Sequence, residues 1–182
     1  MSLKLILGCM YSGKTTEILR IVNSLKHINE KPIIIKPKID NRYSSDKIST
    51  HNKQEYECQT IENLSEFNNN ISNNYIIIEE AQFFKDLLFF VIDQVEIKGK
   101  NIIVVGLDGD SDRENFGEIH KLIPLCDDIV KLKAICKFCK IRDGIFTFRL
   151  SNEKEQMLVG TTNYTALCRN CYNLRKNPEE IV

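Results

Sequence analysis

A glycine-rich motif near the amino terminus has residue types that bind phosphate. The pattern G-x-x-x-x-G-K-[ST] is matched in full by Gly8, Cys9, Met10, Tyr11, Ser12, Gly13, Lys14 and Thr15. In such a loop the backbone N–H groups surround phosphate oxygens, the lysine contacts the β and γ phosphates, and the final hydroxyl binds Mg²⁺. The motif lies between an apolar run and a segment with helical spacing, which is the strand-then-helix context that a phosphate-binding loop requires. The sequence therefore predicts a nucleoside triphosphate site.

Two carboxylates, Glu79 and Glu80, follow an apolar run at residues 75–78. An acidic residue at the carboxyl end of a buried strand is typical of the Mg²⁺ site beside such a loop, and Glu79 has that position. Successive strand residues point in opposite directions. Glu80 therefore does not share the environment of Glu79. With Glu79 at the metal, Glu80 is the candidate general base, which faces the acceptor and takes a proton from its attacking hydroxyl.

The sequence leaves open which triphosphate reaction takes place. The guanine-reading pattern [NT]-K-x-D is absent, which disfavours a GTPase and leaves an ATPase or a kinase. A kinase needs a second pocket for its acceptor. Phe83, Phe84 and Phe116 could stack on a flat base, but their other interpretation is core packing.

Four of the seven cysteines form two C-x-x-C pairs, Cys136 with Cys139 and Cys168 with Cys171. Each pair places two thiolates within reach of one ion, and two pairs complete the tetrahedral S₄ set typical of structural zinc. An odd number of cysteines does not complete a disulfide framework. The long segment between the pairs, residues 147–164, is predicted to be a loop held at its ends by zinc, which is suited to cover a small substrate.

Overall composition limits the class of protein. Lys and Arg together number 25, Asp and Glu together number 25, and the formal net charge is +0. This balance argues against a dedicated nucleic-acid binder, which usually has a basic excess. No apolar run approaches the roughly 20 residues of a membrane span, and the first residues lack a signal-peptide layout. We expect an intracellular soluble protein with no nucleic-acid or membrane partner.

Apolar patterning predicts the elements that position these residues. Short runs rich in Ile and Val, typical of strands covered on both faces, occupy residues 3–7, 32–35, 75–78 and 101–107. Helical spacing follows the first run, and again covers residues 86–97. This order predicts an α/β fold with a mostly parallel sheet flanked by helices.

Two further segments affect the predicted organisation. Residues 40–56 are polar without a clear period and are interpreted as a mobile loop or a pair of weak strands. The pattern changes after Ala134, where the cysteine pairs begin. We predict a nucleotide-binding kinase domain at residues 1–133 and a small zinc-binding domain at residues 134–182.

Together these motifs resemble the cytosolic-type (type II) thymidine kinases of animals, bacteria and large DNA viruses, over nearly the whole chain. The matching segments are residues 8–15, D-N-R-Y-S-S at 40–45, Thr50-His51, E-E-A-Q-F-F at 79–84, residues 107–109, Phe116-Gly117, residues 147–150, and Tyr164 before C-R-N-C-Y at 168–172. The resemblance implies a P-loop (RecA-like) fold with a zinc-ribbon-like appendage. It also implies ATP-dependent phosphorylation of the 5′-hydroxyl of thymidine, giving dTMP for DNA synthesis.

The resemblance also implies roles for individual residues. Glu80 matches the family's catalytic carboxylate, with Lys14 and Arg42 stabilising charge during transfer. Thr15 and Glu79 correspond to the magnesium site. The thymidine-binding positions are Met10, Asp40, Phe83, Leu107, Ser111, Phe116, Thr147, Gln156, Met157, Leu158, Val159, Gly160 and Tyr164. The stretch 156–160 belongs to the zinc-anchored loop, called the lasso, whose backbone forms hydrogen bonds with the thymine base.

Several residues depart from the family pattern. Glu79 replaces the usual Asp, and Cys9 and Tyr11 replace the usual Pro and Phe. Ser111 stands where many relatives carry an aromatic ring, which predicts a wider pocket and broader acceptance of thymidine analogues.

The resemblance implies partners and a location. It implies a homotetramer, feedback inhibition by dTTP, and a cytoplasmic location, in the host if the chain is viral. Two alternatives remain open: a P-loop deoxynucleoside kinase acting on deoxyuridine or deoxycytidine, and a zinc-ribbon nucleic-acid module fused to an ATPase.

Overall fold

The computed structural model describes residues 1–39, 47–49, 55–68, 72–151 and 163–176. Five of the thirteen predicted thymidine-binding positions form the stretch 156–160, which lies outside the described residues. The same is true of Asp40, Arg42 and His51. Predictions that concern these residues remain predictions.

The strands and helices are numbered in chain order. The strands are β1 Ser2–Gly8, β2 Ile33–Pro37, β3 Lys47–Ser49, β4 Glu55–Glu57, β5 Gln59–Ile61, β6 Tyr75–Ile78, β7 Asn101–Gly106, β8 Asp128–Leu132, β9 Ala134–Ile135, β10 Asp143–Gly144, β11 Phe146–Arg149 and β12 Tyr164–Leu167. The α-helices are α1 Lys14–His27, α2 Leu87–Ile92 and α3 Arg169–Lys176. Helix α2 continues as a π-helical turn at Asp93–Ile97, and 3₁₀ turns occupy Leu64–Glu66, Ala81–Phe83 and Ile119–Leu125.

Six strands form a parallel sheet in the order β5-β2-β6-β7-β1-β8. Every pairing within it is parallel, so the carboxyl ends of the strands lie along one edge. The predicted α/β fold with flanking helices is therefore confirmed. The four apolar runs correspond to β1, β2, β6 and β7, the inner strands of this sheet.

The two faces of the sheet are covered by different elements. On one face Ile6 and Ile77 pack with Ile18 and Val22 of α1. Adjacent strand residues point to the opposite face and pack with side chains of α2 such as Leu87. Burial on both faces explains why these strands are continuous apolar runs rather than alternating patterns.

The edge strands β5 and β8 were not predicted. The residues of β8 are exposed or half-buried throughout, and β5 has no buried residue. An edge strand with one open side needs no apolar run, so its sequence carries a weak signal. Within residues 40–56, the short strands β3 and part of β4 form an antiparallel pair, which agrees with the weak-strand interpretation where the chain is described.

After β8 the chain forms small antiparallel pairs, β9 with β10 and β11 with β12, followed by α3. The domain division near residue 133 stays a prediction. Across the described ranges, no helix combines the length and apolar character needed to cross a membrane.

Candidate active site

The predicted phosphate loop connects the end of β1 with the start of α1. A Cβ added at Gly8 would lie 2.6 Å from Ser12 Oγ and 2.7 Å from the Leu132 carbonyl oxygen, so a larger residue does not fit. Gly13 caps the helix with φ +86°, a conformation that glycine adopts without strain. The two glycines of the motif are therefore required by the local geometry.

The side chain of Lys14 turns back towards the loop. Its Nζ donates hydrogen bonds to the carbonyl oxygens of Gly8 at 3.2 Å and Cys9 at 3.0 Å. These contacts place the ammonium group beside the amino terminus of α1, where the helix dipole is positive. The loop thus combines a lysine charge with helical N–H groups, as phosphate binding requires.

Thr15 and Glu79 contact each other at the entrance of α1. The Thr15 hydroxyl donates a hydrogen bond to Glu79 Oε1 at 2.8 Å. Glu79 is buried, and its backbone N–H donates to the Ile35 carbonyl oxygen at 2.8 Å. The structure therefore brings together the two predicted magnesium ligands, a hydroxyl and a carboxylate of the oxygen type that Mg²⁺ prefers.

Glu80 is held by Gln82, a residue to which the sequence assigns no role. Gln82 Nε2 donates to Glu80 Oε2 at 2.6 Å, while Gln82 Oε1 accepts from the Leu107 backbone N–H at 3.0 Å. Gln82 is 3% exposed, and Glu80 adopts a left-handed conformation with φ 50°. A buried amide thus links the predicted base to the end of β7. The sequence offers only one sign of this role, which is that a polar residue, Gln82, stands next to apolar ones in the segment E-E-A-Q-F-F at 79–84.

The backbone around Gln82 is closely packed. A Cβ added at Gly117 would lie 2.1 Å from the Gln82 carbonyl oxygen, and Gly117 has φ +61°. Only glycine allows this approach, which fixes the loop after β7 against the turn that carries Glu80.

Two pairs of the predicted thymine-binding residues are in contact within the described part of the chain. Phe83 and Phe116 pack edge to face, with ring centroids 5.4 Å apart and an interplanar angle of 83°. The Met10 backbone N–H donates to Thr147 Oγ1 at 3.0 Å, which joins the phosphate loop to β11. Phe84 is 1% exposed and belongs to the core, so of its two interpretations core packing is the one confirmed.

Three other residues of the predicted thymine pocket are buried in the structure. Leu107 and Ser111 are buried in the segment after β7. Tyr164 is also buried, and its hydroxyl oxygen accepts a hydrogen bond from Arg149 Nη2 at 3.1 Å.

The four paired cysteines form one cluster. Their Sγ atoms, from Cys136, Cys139, Cys168 and Cys171, all lie within 4.8 Å of one another. Burial raises the pKa of Cys136, but hydrogen bonds from the backbone of Cys168 and Cys139 outweigh it and lower that pKa to about 6. Burial and the neighbouring sulfur atoms raise the pKa of Cys171 to about 12. Four close sulfur atoms fit the S₄ set of a structural zinc ion, whose charge would stabilise all four as thiolates.

The parallel sheet, the loop at its carboxyl edge and the adjacent carboxylates define a P-loop nucleotide-binding protein of the α/β class. Comparison with known proteins identifies the family. The profile of the family described as "Thymidine kinase" matches residues 1–172.

Relatives from different sources agree with this match. A thymidine kinase of Amsacta moorei entomopoxvirus is 40% identical over 183 residues, covering 95% of this chain and 98% of the relative. One from Mycoplasma mobile is 38% identical over 173 residues, covering 93% and 86% of the two chains. A cytosolic thymidine kinase of Gallus gallus is 34% identical over 181 residues, covering 98% of this chain and 80% of the relative.

The chain belongs to the thymidine kinase family. It is an enzyme that phosphorylates thymidine with ATP, and the resemblance noted in the sequence is confirmed. Nothing in these comparisons favours the alternative acceptors.

Proposed function

We propose that the enzyme transfers the γ-phosphoryl group of ATP to the 5′-hydroxyl of thymidine, with Mg²⁺ as cofactor and Glu80 as general base. The observation that carries this proposal is the hydrogen bond from Thr15 to Glu79. It joins the phosphate loop to the acidic pair, so that the triphosphate site and the candidate base belong to one centre.

The phosphate loop, residues 8–15, would bind the triphosphate. Its backbone N–H groups and the Lys14 ammonium would neutralise charge on the β and γ phosphates. Mg²⁺, held by Thr15 and Glu79, would supply further neutralisation of the triphosphate. In the loop, Cys9 is buried and donates through Sγ to the Gly144 carbonyl oxygen at 3.3 Å, so this departure from the family pattern is accommodated by packing.

Glu80 would accept the proton of the 5′-hydroxyl as that oxygen attacks the γ-phosphorus and ADP leaves. Gln82 keeps one carboxylate oxygen in place through its 2.6 Å hydrogen bond. Holding the base and the triphosphate on one rigid sheet edge lowers the entropic part of the barrier. Arg42, which lies outside the described residues, would add positive charge near the transferred group.

The thymine ring would lie beside the paired phenylalanines. Edge-to-face packing of Phe83 against Phe116 fixes an apolar wall of the kind that stacks on a flat base. The remaining proposed contacts are Met10, Asp40, Leu107, Ser111, Thr147, Gln156, Met157, Leu158, Val159, Gly160 and Tyr164. Because Ser111 is small, we propose that the pocket accepts thymidine analogues more broadly than relatives with an aromatic residue there.

Three further proposals concern regulation, assembly and location. We propose that dTTP inhibits the enzyme, because one molecule of it carries both a thymine base and a triphosphate. We also propose a homotetramer located in the cytoplasm. Light scattering of the purified protein tests the assembly, and a mass of one or two chains would contradict it.

An acceptor panel tests the proposed function. Purified protein is incubated with ATP, Mg²⁺ and thymidine, deoxyuridine or deoxycytidine in turn, and the monophosphates and ADP are quantified. We expect thymidine to be the best acceptor, with equal amounts of dTMP and ADP. Poor activity on thymidine, or ATP hydrolysis that DNA or RNA stimulates without monophosphate formation, would exclude the proposal.

A further inference from the structure

We propose that Tyr172 is a positioning residue for thymidine binding. It connects helix α3 of the cysteine cluster to the segment at residues 108–117, here called the pocket loop, which carries Ser111 and Phe116. The inference rests on the proposed function only in placing the thymine base beside this loop.

Tyr172 makes a buried hydrogen bond to the pocket loop. Its hydroxyl donates to the Ser111 carbonyl oxygen at 2.7 Å, although the two residues are 61 positions apart. Tyr172 is 1% exposed and Ser111 is 6% exposed, so water does not readily replace this donor. A buried carbonyl group that loses its partner carries a desolvation penalty, and the loop therefore prefers the position in which the bond is made.

The ring of Tyr172 is held on several sides. Phe146 and Phe148 of β11 meet it edge on, with centroid distances of 5.3 Å and 5.6 Å. The Arg113 guanidinium lies 4.5 Å from the ring centroid, and Arg113 Nη1 also donates to Asn173 Oδ1 at 3.3 Å. Arg113 belongs to the pocket loop, so it provides a second connection between the loop and α3.

The pocket loop is internally braced. Asp110 Oδ1 accepts hydrogen bonds from the backbone N–H groups of Asp112 at 2.8 Å and Glu114 at 3.0 Å. The Asp110 N–H donates in turn to the Glu114 carbonyl oxygen at 3.0 Å. Because residues 110–114 are tied together, a shift at Ser111 is transmitted along the loop towards Phe116, which contacts Phe83.

The triphosphate side of the centre is held by other contacts. Lys14 is bonded to the phosphate loop itself, and Glu79 to Thr15. Gln82 connects Glu80 to Leu107 without involving α3. The Tyr172 hydroxyl is therefore expected to affect thymidine binding selectively, rather than ATP binding or the chemical step.

The test compares Tyr172→Phe with wild type. This change removes only the hydroxyl oxygen. We expect the KM for thymidine to rise about tenfold, as loss of one buried hydrogen bond gives, while kcat and the KM for ATP change by less than about twofold. Amide hydrogen exchange in residues 110–116 of the ligand-free protein should become faster. Tyr75→Phe removes the same group from a half-buried tyrosine at the amino end of β6, and hence at the opposite edge of the sheet; this control should behave like wild type.

Two results would overturn the proposal: an unchanged KM for thymidine, with or without a lower kcat, or a KM rise that comes with loss of zinc and is reversed by added zinc. If Tyr172→Phe does not fold, Arg113→Lys removes the planar group over the ring. It should raise the same KM about threefold, and no rise would count against the proposal. A wild-type protein inactive on thymidine would refute the proposed function, whereas hydrogen exchange tests the Tyr172 connection without substrate.

Discussion

The Thr15 hydroxyl donates a hydrogen bond to the Glu79 carboxylate at 2.8 Å, although 64 positions separate the two residues. This contact joins the helix that begins at the phosphate loop to the end of strand β6. It also places Glu80, the next residue, at the same edge of the sheet. The proposed catalytic centre is built around this relationship.

Removal of the Thr15 hydroxyl is expected to weaken the use of Mg²⁺. Thr15→Val keeps the shape of the side chain but removes both a proposed ligand oxygen and the donor to Glu79. We expect activity at limiting Mg²⁺ to fall by about 10- to 100-fold. Initial rates measured over a range of Mg²⁺ concentrations check this expectation. Thr15→Ser is the control because it keeps the hydroxyl, and a Ser variant as impaired as the Val variant would count against a ligand role.

Gln82 is expected to support catalysis through Glu80. Gln82→Met removes the amide that donates to the Glu80 carboxylate and accepts from Leu107. Hydrogen bonds to charged groups are among the stronger ones, so we expect kcat to fall by about 10- to 100-fold. Steady-state kinetics at saturating substrates give the value. Gln94→Met provides the matched control, since Gln94 is equally buried but belongs to the π-helical turn after α2. If both variants had the same kcat, Gln82 would act only through stability.

Gly117 is expected to be intolerant of a side chain. In Gly117→Ala the new Cβ would meet the Gln82 carbonyl oxygen, and φ +61° is unfavourable for alanine. We expect the free energy of unfolding to fall by roughly 3 kcal/mol from overpacking and backbone strain together. Gly99→Ala is the control, because Gly99 has φ +66° but no neighbour within 4 Å of an added Cβ. Its expected cost is about 1 kcal/mol. Denaturant unfolding measures both, and equal losses would show that the close contact is absent.

Zinc removal is expected to destabilise the carboxyl-terminal part of the chain. Zinc binding displaces protons from thiols such as Cys171, whose pKa is raised to about 12, so zinc affinity falls as the pH decreases. A chelator should therefore remove zinc more readily at acid than at alkaline pH. The accompanying decrease in Tm should be roughly 10 °C. Calorimetry with metal analysis measures both effects.

A cysteine outside the cluster controls for this experiment. Cys171→Ser should lose zinc and the associated stability, whereas Cys126→Ser should keep both. Cys126 is half-buried and donates through Sγ to the Ile123 carbonyl oxygen. A Cys171→Ser protein with full zinc content would contradict the four-cysteine site.

The inner part of the fold and the metal cluster could be predicted because their signals are local. Runs such as Ile76–Ile78 are apolar because both faces of the sheet are covered, and each C-x-x-C turn brings its own two sulfur atoms together. The phosphate loop is likewise a continuous motif whose geometry follows from its glycines. In each case a few neighbouring residues carry most of the information.

Other features depend on contacts between distant residues and left little trace in the sequence. Strand β8 lies at the sheet edge, and the charged residues in its sequence, D-I-V-K-L, leave no apolar run longer than two residues. The roles of Gln82 and Tyr172 depend on partners in other elements, Leu107 and Ser111. A single glutamine or tyrosine among apolar neighbours does not indicate which distant group it contacts.

The most direct test of the central claim is transfer of labelled γ-phosphate from ATP to thymidine by wild type and Glu80→Gln in parallel. Both proteins are first shown to bind ATP equally, and the rate of labelled dTMP formation is then measured at saturating substrates. The proposed mechanism predicts rapid dTMP formation by wild type and a rate lower by roughly 10²- to 10⁴-fold in Glu80→Gln. Equal rates of dTMP formation by the two proteins would contradict the assignment of Glu80 as the general base.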